Sequence, residues 1–261
     1  MRATADADAA ARLQQQLAAR GLPCAVQWCA EIDSTNAEAL RRVRAAPTSP
    51  PQCLVAGAQS AGRGRQGRSW IDADDSAMMS LAWPFAPGCA VGALSLAVGV
   101  WLAQTLQGLG ADAVRLKWPN DVLLRGAKLA GVLVELADTP AARWAVIGIG
   151  VNLRRPPGVD GAAALADVLP QATRWSVLDA LLPALLQALP VYAQAGFAPW
   201  QPTWNALHAW AGTEVRLLEA GQLRGAGVAR GVDADGCLLL DTGHGVERVH
   251  SVDVSLRRAH D

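Results

Sequence analysis

The sequence predicts an α+β protein: a mixed β-sheet flanked by helices, followed by a small SH3-like β-barrel at the C-terminal end. Three observations carry this. Half of the 261 residues are apolar and only 18% are charged, so the chain can bury a large core. The middle of the chain is rich in short apolar strands cut by Gly, Pro and Asn-Asp breaks, with apolar runs of helical length on either side. Beyond Trp210 the pattern changes to short strands separated by Gly/Asp turns, the signature of a small barrel. The expected division is an N-terminal helical segment (1–27), a main domain (28–210) and the barrel (211–261).

In order along the chain, an Ala/Gln-rich helix is expected over 8–20, stopped by Gly21 and Pro23. A short strand follows at 26–29. Ser34-Thr35-Asn36 then opens a helix, with Thr35 and Glu38 at capping-box spacing. The proline-rich stretch 47–51 reads as a loop and 53–58 as a buried strand. Residues 78–83 read as a strand and 90–109 as a helix. A strand at 114–118 ends at Pro119-Asn120-Asp121, a strong turn signal. Residues 122–124 and 129–136 form a hairpin about Arg125-Gly126-Ala127, and 144–153 is a further strand. Residues 154–174 read as irregular. An apolar helix starts near Ser176 and runs to about Ala195, with Pro183 early and Pro190 placed to kink it. The barrel strands are expected at 214–218, 223–229, 237–240 and 247–252.

Composition excludes several classes. Lys+Arg and Asp+Glu are equal at 23 each, so the broad basic surface that nucleic-acid binding needs is missing. Five cysteines, odd in number and without a Cys-x-x-Cys pair, together with the lack of a signal peptide, point to reduced thiols in a cytoplasmic protein. The four histidines lack metal-ligand spacing. Residues 76–111 carry no charge, but Pro84, Pro87 and Gly88 break that stretch, which fits a buried strand and helix better than a membrane span.

The local concentration of charge is informative. Gly62-Arg63-Gly64-Arg65-Gln66-Gly67-Arg68-Ser69-Trp70 alternates guanidinium groups, which seek oxyanions, with glycines that let the backbone approach a ligand. Taken alone, it reads equally as a mobile lid over a phosphate-bearing ligand or as a flexible surface loop of Arg-Gly type. It fits neither the Walker A pattern nor Gly-x-Gly-x-x-Gly opening a helix. Lys117-Trp118-Pro119-Asn120-Asp121 and Lys128-Leu129-Ala130-Gly131 add lysines at strand ends, placed to neutralise a phosphate or carboxylate. Asn120 and Asp121 could hold a ribose, a phosphate or Mg2+.

Together these pieces resemble the biotin–protein ligases, the biotin–[acetyl-CoA-carboxylase] ligases. The resemblance rests on Ser34-Thr35-Asn36, Gln59 through Trp70, Lys117 through Asp121, Lys128 through Gly131 and on to Glu135, Gly148-Ile149-Gly150-Val151-Asn152, and Ser255-Leu256-Arg257. It covers the chain from about residue 28, and makes 28–210 the biotin- and ATP-binding catalytic domain. It implies that ATP and biotin form biotinyl-5′-adenylate, whose acyl group then passes to a lysine of a biotin carboxyl carrier protein.

By the same resemblance, Lys128 and Arg65 are the catalytic residues. Ser34, Thr35, Gln59, Gly62, Arg63, Gly64, Lys128 and Gly131 bind biotin. Arg63, Arg65, Arg68, Trp70, Lys117, Asn120, Lys128, Asn152 and Arg257 face the nucleotide, with Arg257 reaching in from the barrel. Asp121 is a candidate Mg2+ ligand. A lid over 59–75 would keep water from the mixed anhydride. The partner implied is the carrier protein of acetyl-CoA carboxylase or a related carboxylase, with a homodimer as a further state and with neither DNA nor membrane. Only about thirty residues precede the Ser-Thr-Asn motif, too few for the winged-helix domain of bifunctional relatives. No aromatic follows Asn152 before Arg174 to enclose adenine. The rivals are a lipoate- or octanoate-transferring relative, and a nucleic-acid binder using the Arg-Gly loop and barrel.

Overall fold

The structure is a computed structural model that describes residues 2–46, 50–71, 76–219, 221–250 and 254–258. The main body contains α1 (Arg2–Ala19), β1 (Ala25–Ile32), α2 (Thr35–Ala45), β2 (Gln52–Gln59), β3 (Ala77–Phe85), α3 (Leu94–Gly108), β4 (Val114–Lys117), β5 (Asp121–Leu124), β6 (Ala127–Asp138), β7 (Arg143–Val151), α4 (Arg174–Ala195) and α5 (Gln201–Leu207). Five strands follow: β8 (Glu214–Glu219), β9 (Gln222–Val232), β10 (Leu238–Asp241), β11 (Val246–Val249) and β12 (Val254–Arg258). Parts of the expected loop 47–51, of the lid 59–75 and of the last strand 247–252 fall at 47–49, 72–75 and 251–252, outside the described residues.

The main sheet has seven strands in the order β1-β2-β3-β7-β6-β5-β4. It is mixed: β1 and β2 are parallel and the remaining neighbours antiparallel. The sheet separates two apolar layers. On one face α1, α3 and α4 bury the large core, including Leu13, Leu102, Trp118 and Leu181. On the other, α2 presses Ala39, Leu40 and Val43 onto Leu54, Ala82 and Val146. Both faces are thus covered at the sheet's centre, and the strands read as apolar runs for that reason.

The first 27 residues do not stand apart. Leu13 and Leu17 are fully buried, and the Gln14 side chain accepts the Val26 N–H of edge strand β1 at 2.8 Å. Asp6 accepts the Trp175 indole N–H at 2.7 Å, tying α1 to α4. Helix α4 starts at Arg174, capped by Thr173, and is assigned as one helix through both Pro183 and Pro190. Its length and apolarity would suffice to cross a bilayer, but half of the qualifying stretch is buried inside the fold. The segment 76–111 supplies β3 and α3, both largely buried.

The C-terminal sheet has the order β11-β10-β9-β8-β12. Strand β12 and helix α5 were not expected from the sequence. Helix α5 is only seven residues long, and it matters for docking the barrel. The Asn205 amide accepts the Val232 N–H at 2.8 Å and donates to the Val232 carbonyl at 3.1 Å. The buried Trp118 indole donates to the Gly236 carbonyl at 3.2 Å. At Gly236 (φ +81°) a Cβ would stand 2.6 Å from that of Ala93, so only glycine fits this joint.

Candidate active site

The site lies on the α2 face of the main sheet. Partner positions across the sheet run Met78, Gly150, Gly131, Asp121, Lys117. Side chains in such a row share a face, so two adjacent glycines leave a trough between Met78 and Asp121. The Trp70 ring lies in that trough: a Cβ on Gly150 would meet the ring at 2.6 Å, and one on Gly131 at 3.2 Å. Two residues along on the same face, a Cβ on Gly148 would collide with the Asn36 amide oxygen. These glycines make room for side chains from elsewhere.

The Arg-Gly loop is a small hairpin. Gly64 N–H donates to the Arg68 carbonyl (2.7 Å) and Trp70 N–H to the Gly62 carbonyl (2.9 Å). A short 3-10 turn at Arg65–Gly67 forms its tip, with Gln66 at φ 57° and Gly67 at φ 69°. Arg63, Gly64, Arg65, Arg68 and Trp70 line a cavity of about 960 Å3, part of it open to solvent. Ser34, Thr35, Gln59, Lys117, Asn120, Asp121, Lys128, Gly131 and Arg257 line the same cavity. The structure therefore brings together most of the residues singled out from the sequence.

The cationic end is built around one carboxylate. Asp121 accepts from Lys128 Nζ at 2.6 Å and lies 3.5 Å from Lys117 Nζ. Burial pushes the Asp121 carboxyl up, but the charges of Lys128 and Lys117 outweigh it, and the group titrates below the ordinary carboxylate range. Lys117 titrates below an ordinary lysine, chiefly through burial, with repulsion from Arg257 and Lys128 added and the attraction of Asp121 opposing. Its ammonium also sits 4.7 Å from the Trp210 ring centre. Lys128 is fixed through its backbone. Its N–H donates to the Gly161 carbonyl and its carbonyl accepts from Ala163 N–H, so part of the irregular 154–174 segment is a strap beside it. A bulge in β6 at Leu129, opposite Val122 and Leu123, sets its place in the strand.

The other end is polar and uncharged. Gln59 Oε1 accepts the Thr35 N–H at 2.8 Å and lies 3.1 Å from the Thr35 hydroxyl oxygen. Ser34, not Thr35, caps α2: its hydroxyl accepts the Ala37 N–H at 3.4 Å, which frees the Thr35 side chain for the cavity. The helix therefore presents its N-terminal end here.

Four of the expected site residues have surroundings that the sequence did not show. Asp121, expected as a candidate Mg2+ ligand, has its carboxylate engaged by two ammonium groups. No group of three or more His, Cys, Asp or Glu among the described residues is placed to hold a metal. Asn152 does not line the cavity. It is buried, and its amide donates to the carbonyls of Lys128 (3.3 Å) and Ala163 (3.2 Å), so it fastens the strap. Asn120 lines the cavity as expected, with its amide NH2 donating to the Val132 carbonyl at 2.9 Å. Gly62 lies at the hairpin base, where a Cβ would meet the Trp70 carbonyl at 2.7 Å, and it does not line the cavity.

Sequence reasoning assigned no role to Asn36, Ser80 or Glu135, which form a hydrogen-bonded chain behind the cavity. A lone serine inside the apolar strand β3 was the available signal, since a buried hydroxyl needs a partner. Met78 and Leu256, apolar cavity residues, were given no role of their own, Leu256 being named only within the Ser255-Leu256-Arg257 motif.

Comparison with known proteins agrees with this geometry. Residues 28–152 match the biotin/lipoate A/B protein ligase family, and residues 212–257 match the biotin protein ligase C-terminal domain. The bifunctional ligase/repressor BirA of Escherichia coli is 36% identical over 237 residues, covering 87% of this chain and 73% of that protein. The biotin–[acetyl-CoA-carboxylase] ligase of Paracoccus denitrificans is 34% identical, covering 81% of this chain and 92% of that protein. Among solved structures, the biotin protein ligase of Aquifex aeolicus in complex with biotin and ATP superposes with a TM-score of 0.75. Its identity is 27%, over 89% of this chain and 98% of that one. With its motifs, its cavity and its barrel in the order these relatives share, the chain belongs to the biotin/lipoate A/B protein ligase family, as a biotin protein ligase.

Proposed function

We propose that this chain activates biotin with ATP as biotinyl-5′-adenylate and transfers the acyl group to a lysine of a biotin carboxyl carrier protein. The observation that carries it is one cavity with two unlike ends. A neutral hydrogen-bonding cradle at Ser34, Thr35 and Gln59 suits a urea, and the cluster of Lys117, Lys128 and Arg257 suits a carboxylate meeting a phosphate.

Adenylation brings biotin's carboxylate against the α-phosphate, and the two anions repel until cations lie between them. Lys128 is placed for that task. Its ammonium is held by Asp121 at one side and stands 5.7 Å from the Trp70 ring centre. The carboxylate oxygen attacks phosphorus, pyrophosphate leaves with the electron pair of the broken P–O bond, and Lys128 neutralises charge on the oxygens between them. Lys117 and Arg257 take the phosphate side. Arg65 and Arg68 close the cavity from the hairpin, and Arg63 stands at its edge. Trp70 offers the flat apolar surface for adenine that no residue in 154–173 supplies. In the second step the neutral acceptor amine attacks the acyl carbon, and AMP departs.

Mg2+ would belong with the polyphosphate of the incoming nucleotide, where it would offset the charge of the departing pyrophosphate. The five free cysteines suit the cytoplasm, where carrier proteins are made. The carrier is that of acetyl-CoA carboxylase, as the name of the Paracoccus relative indicates for that protein. The division into 28–210 and 211–261 follows the change of sheet, with residues 1–27 serving the main body.

Incubation with biotin and Mg-ATP should yield biotinyl-adenylate by mass spectrometry and release pyrophosphate, and lipoate should give neither. Lys128→Ala should lower adenylate formation by about 100-fold or more, as for loss of a preorganised group facing transition-state charge. Normal activity in that variant would remove the assignment, and equal use of lipoate would replace biotin.

A further inference from the structure

Behind the cradle runs an unbroken polar chain: Gln59, Thr35, Ser80, Asn36, Glu135, Arg63. Ser80 Oγ lies 2.7 Å from Thr35 Oγ1 and 2.5 Å from Asn36 Oδ1. Asn36 Nδ2 donates to Glu135 Oε2 at 3.0 Å, and Arg63 Nη2 pairs with Glu135 Oε1 at 2.9 Å. Glu135 does not line the ligand cavity; it faces a groove on the far side of the hairpin.

The protons in this chain can be assigned from one end. Glu135 is ion-paired, hence ionised, and can only accept. The Leu133 carbonyl, 3.5 Å from Asn36 Nδ2, can only accept as well. Both demand the NH2 side of Asn36, so its oxygen must point to Ser80. Two oxygens 2.5 Å apart need a proton between them, and only Ser80 has one to give. Two hydroxyl protons then serve three oxygen–oxygen contacts, and after Ser80 has donated to Asn36 the Thr35 proton goes to the shorter of its two contacts, Ser80 at 2.7 Å rather than Gln59 at 3.1 Å. The Thr35 hydroxyl proton therefore points inward, away from the cavity. Gln59 Oε1 keeps the Thr35 N–H, while its NH2 group faces the weak acceptor Met78 Sδ at 3.2 Å. With the Thr35 proton on Ser80, what the cradle shows a ligand is two acceptor oxygens, Thr35 Oγ1 and Gln59 Oε1, which lie 3.1 Å apart.

We propose that Glu135 is a specificity-determining, positioning residue. Through Asn36 and Ser80 it fixes the hydrogen-bond polarity of the cradle so that the ligand must bring an N–H donor, and the same carboxylate holds Arg63 of the hairpin. This rests on the reading of Thr35 and Gln59 as the cradle for biotin's head. A ureido N–H placed between the two oxygens satisfies both. A ring oxygen there would face two lone pairs, and a site built for a donor rejects its absence strongly. Gly148 is part of the device, since any side chain there would displace the Asn36 oxygen.

The test compares biotin with the two cyclic carbamate analogues in which one or the other ureido N–H is replaced by oxygen. Adenylate formation is measured with wild type, Glu135→Gln and Ser80→Ala. Wild type should prefer biotin over at least one carbamate by about 100-fold or more in kcat/KM. In Glu135→Gln the new neutral amide can donate to Asn36 and let the chain reverse, and Ser80→Ala cuts the chain without touching Arg63. Both variants should lose at least about tenfold of that preference with a raised KM for biotin, and Ser80→Ala, which leaves Arg63 in place, should change KM for ATP little. The ratio is insensitive to a general loss of active protein, so a partly destabilised variant still answers. If both variants keep the wild-type preference while losing activity equally on all three compounds, Glu135 is merely structural and the proposal fails. If wild type itself does not discriminate against either carbamate, the cradle assignment fails instead.

Discussion

At the scale of single residues, Asp121 is the group whose surroundings changed its meaning. As a carboxylate after a strand end it looked suited to a metal, yet it is the counter-ion for Lys128 and Lys117. Removing one partner of a buried ion pair leaves the other charge uncompensated. In Asp121→Asn the protonated form of Lys117, already disfavoured by burial and by Arg257, loses its main attraction. Its pKa should fall further, so the charge on Lys117 is lost at lower pH. The alkaline limb of the kcat/KM profile for ATP should therefore move to lower pH, and activity at neutral pH should drop by about tenfold or more. An alkaline limb that stays in place would show that Lys117 does not titrate in that range.

At the scale of elements, the hairpin from Gly62 to Trp70 is the part of the site placed to act as a lid. It is ordered by few bonds of its own, chiefly Gly64 to Arg68 and Gly62 to Trp70, and is anchored by the Trp70 ring over Gly131 and Gly150. Such a segment lies at the low-stability end of a fold, as a lid requires. Arg65 at its tip lines the cavity. Arg65→Gly should leave adenylate formation partly intact but speed release of the intermediate by about tenfold or more, as for loss of one charge-assisted contact. A single-turnover assay that separates bound from free biotinyl-adenylate reads this, and unchanged release would show that Arg65 does not guard the intermediate. The strap at 161–165 works oppositely. Backbone bonds of Gly161 and Ala163 with Lys128 and of Leu165 with Asn152, together with the Asn152 amide, make it a fixed wall behind Lys128.

For the whole molecule, the joint between body and barrel controls whether Arg257 reaches the cavity. His208 lies at that joint, bridged to Leu116 of β4 and 4.8 Å from the Trp204 ring centre. It is buried, and neither ring nitrogen has a hydrogen-bond partner among the described residues. Burial lowers its pKa from 6.5 to about 4. Between these values the unfolded chain binds the proton and the folded one does not, so stability falls as pH drops from 6.5 towards 4. The loss should reach roughly 3 kcal/mol and level off below the folded value. Urea titrations across that window should show it, and His208→Phe should flatten this component. An unaltered pH slope in the variant would place the acid sensitivity elsewhere.

The sequence by itself determined the fold class, most strands to within a few residues, and the chemistry of the cavity. Lys117, Lys128, Arg63 and Arg65 were legible as charged groups gathered at strand ends and in a Gly-rich loop, whereas Thr35, Gln59 and Trp70 were singled out only by the resemblance to biotin–protein ligases. Tertiary structure decided what each group faces. Hydrogen-bond partners come from residues far apart in sequence, such as Asn36 with Glu135 and Asn152 with Lys128, and spacing along the chain cannot pair them. The roles of Asp121 and Asn152 therefore turned on pairing, and so did the helix α5. Its seven residues are too short to signal a helix alone and are held by contact with the barrel. Composition and local pattern select which groups a site contains, but only packing sets which way their protons and charges point.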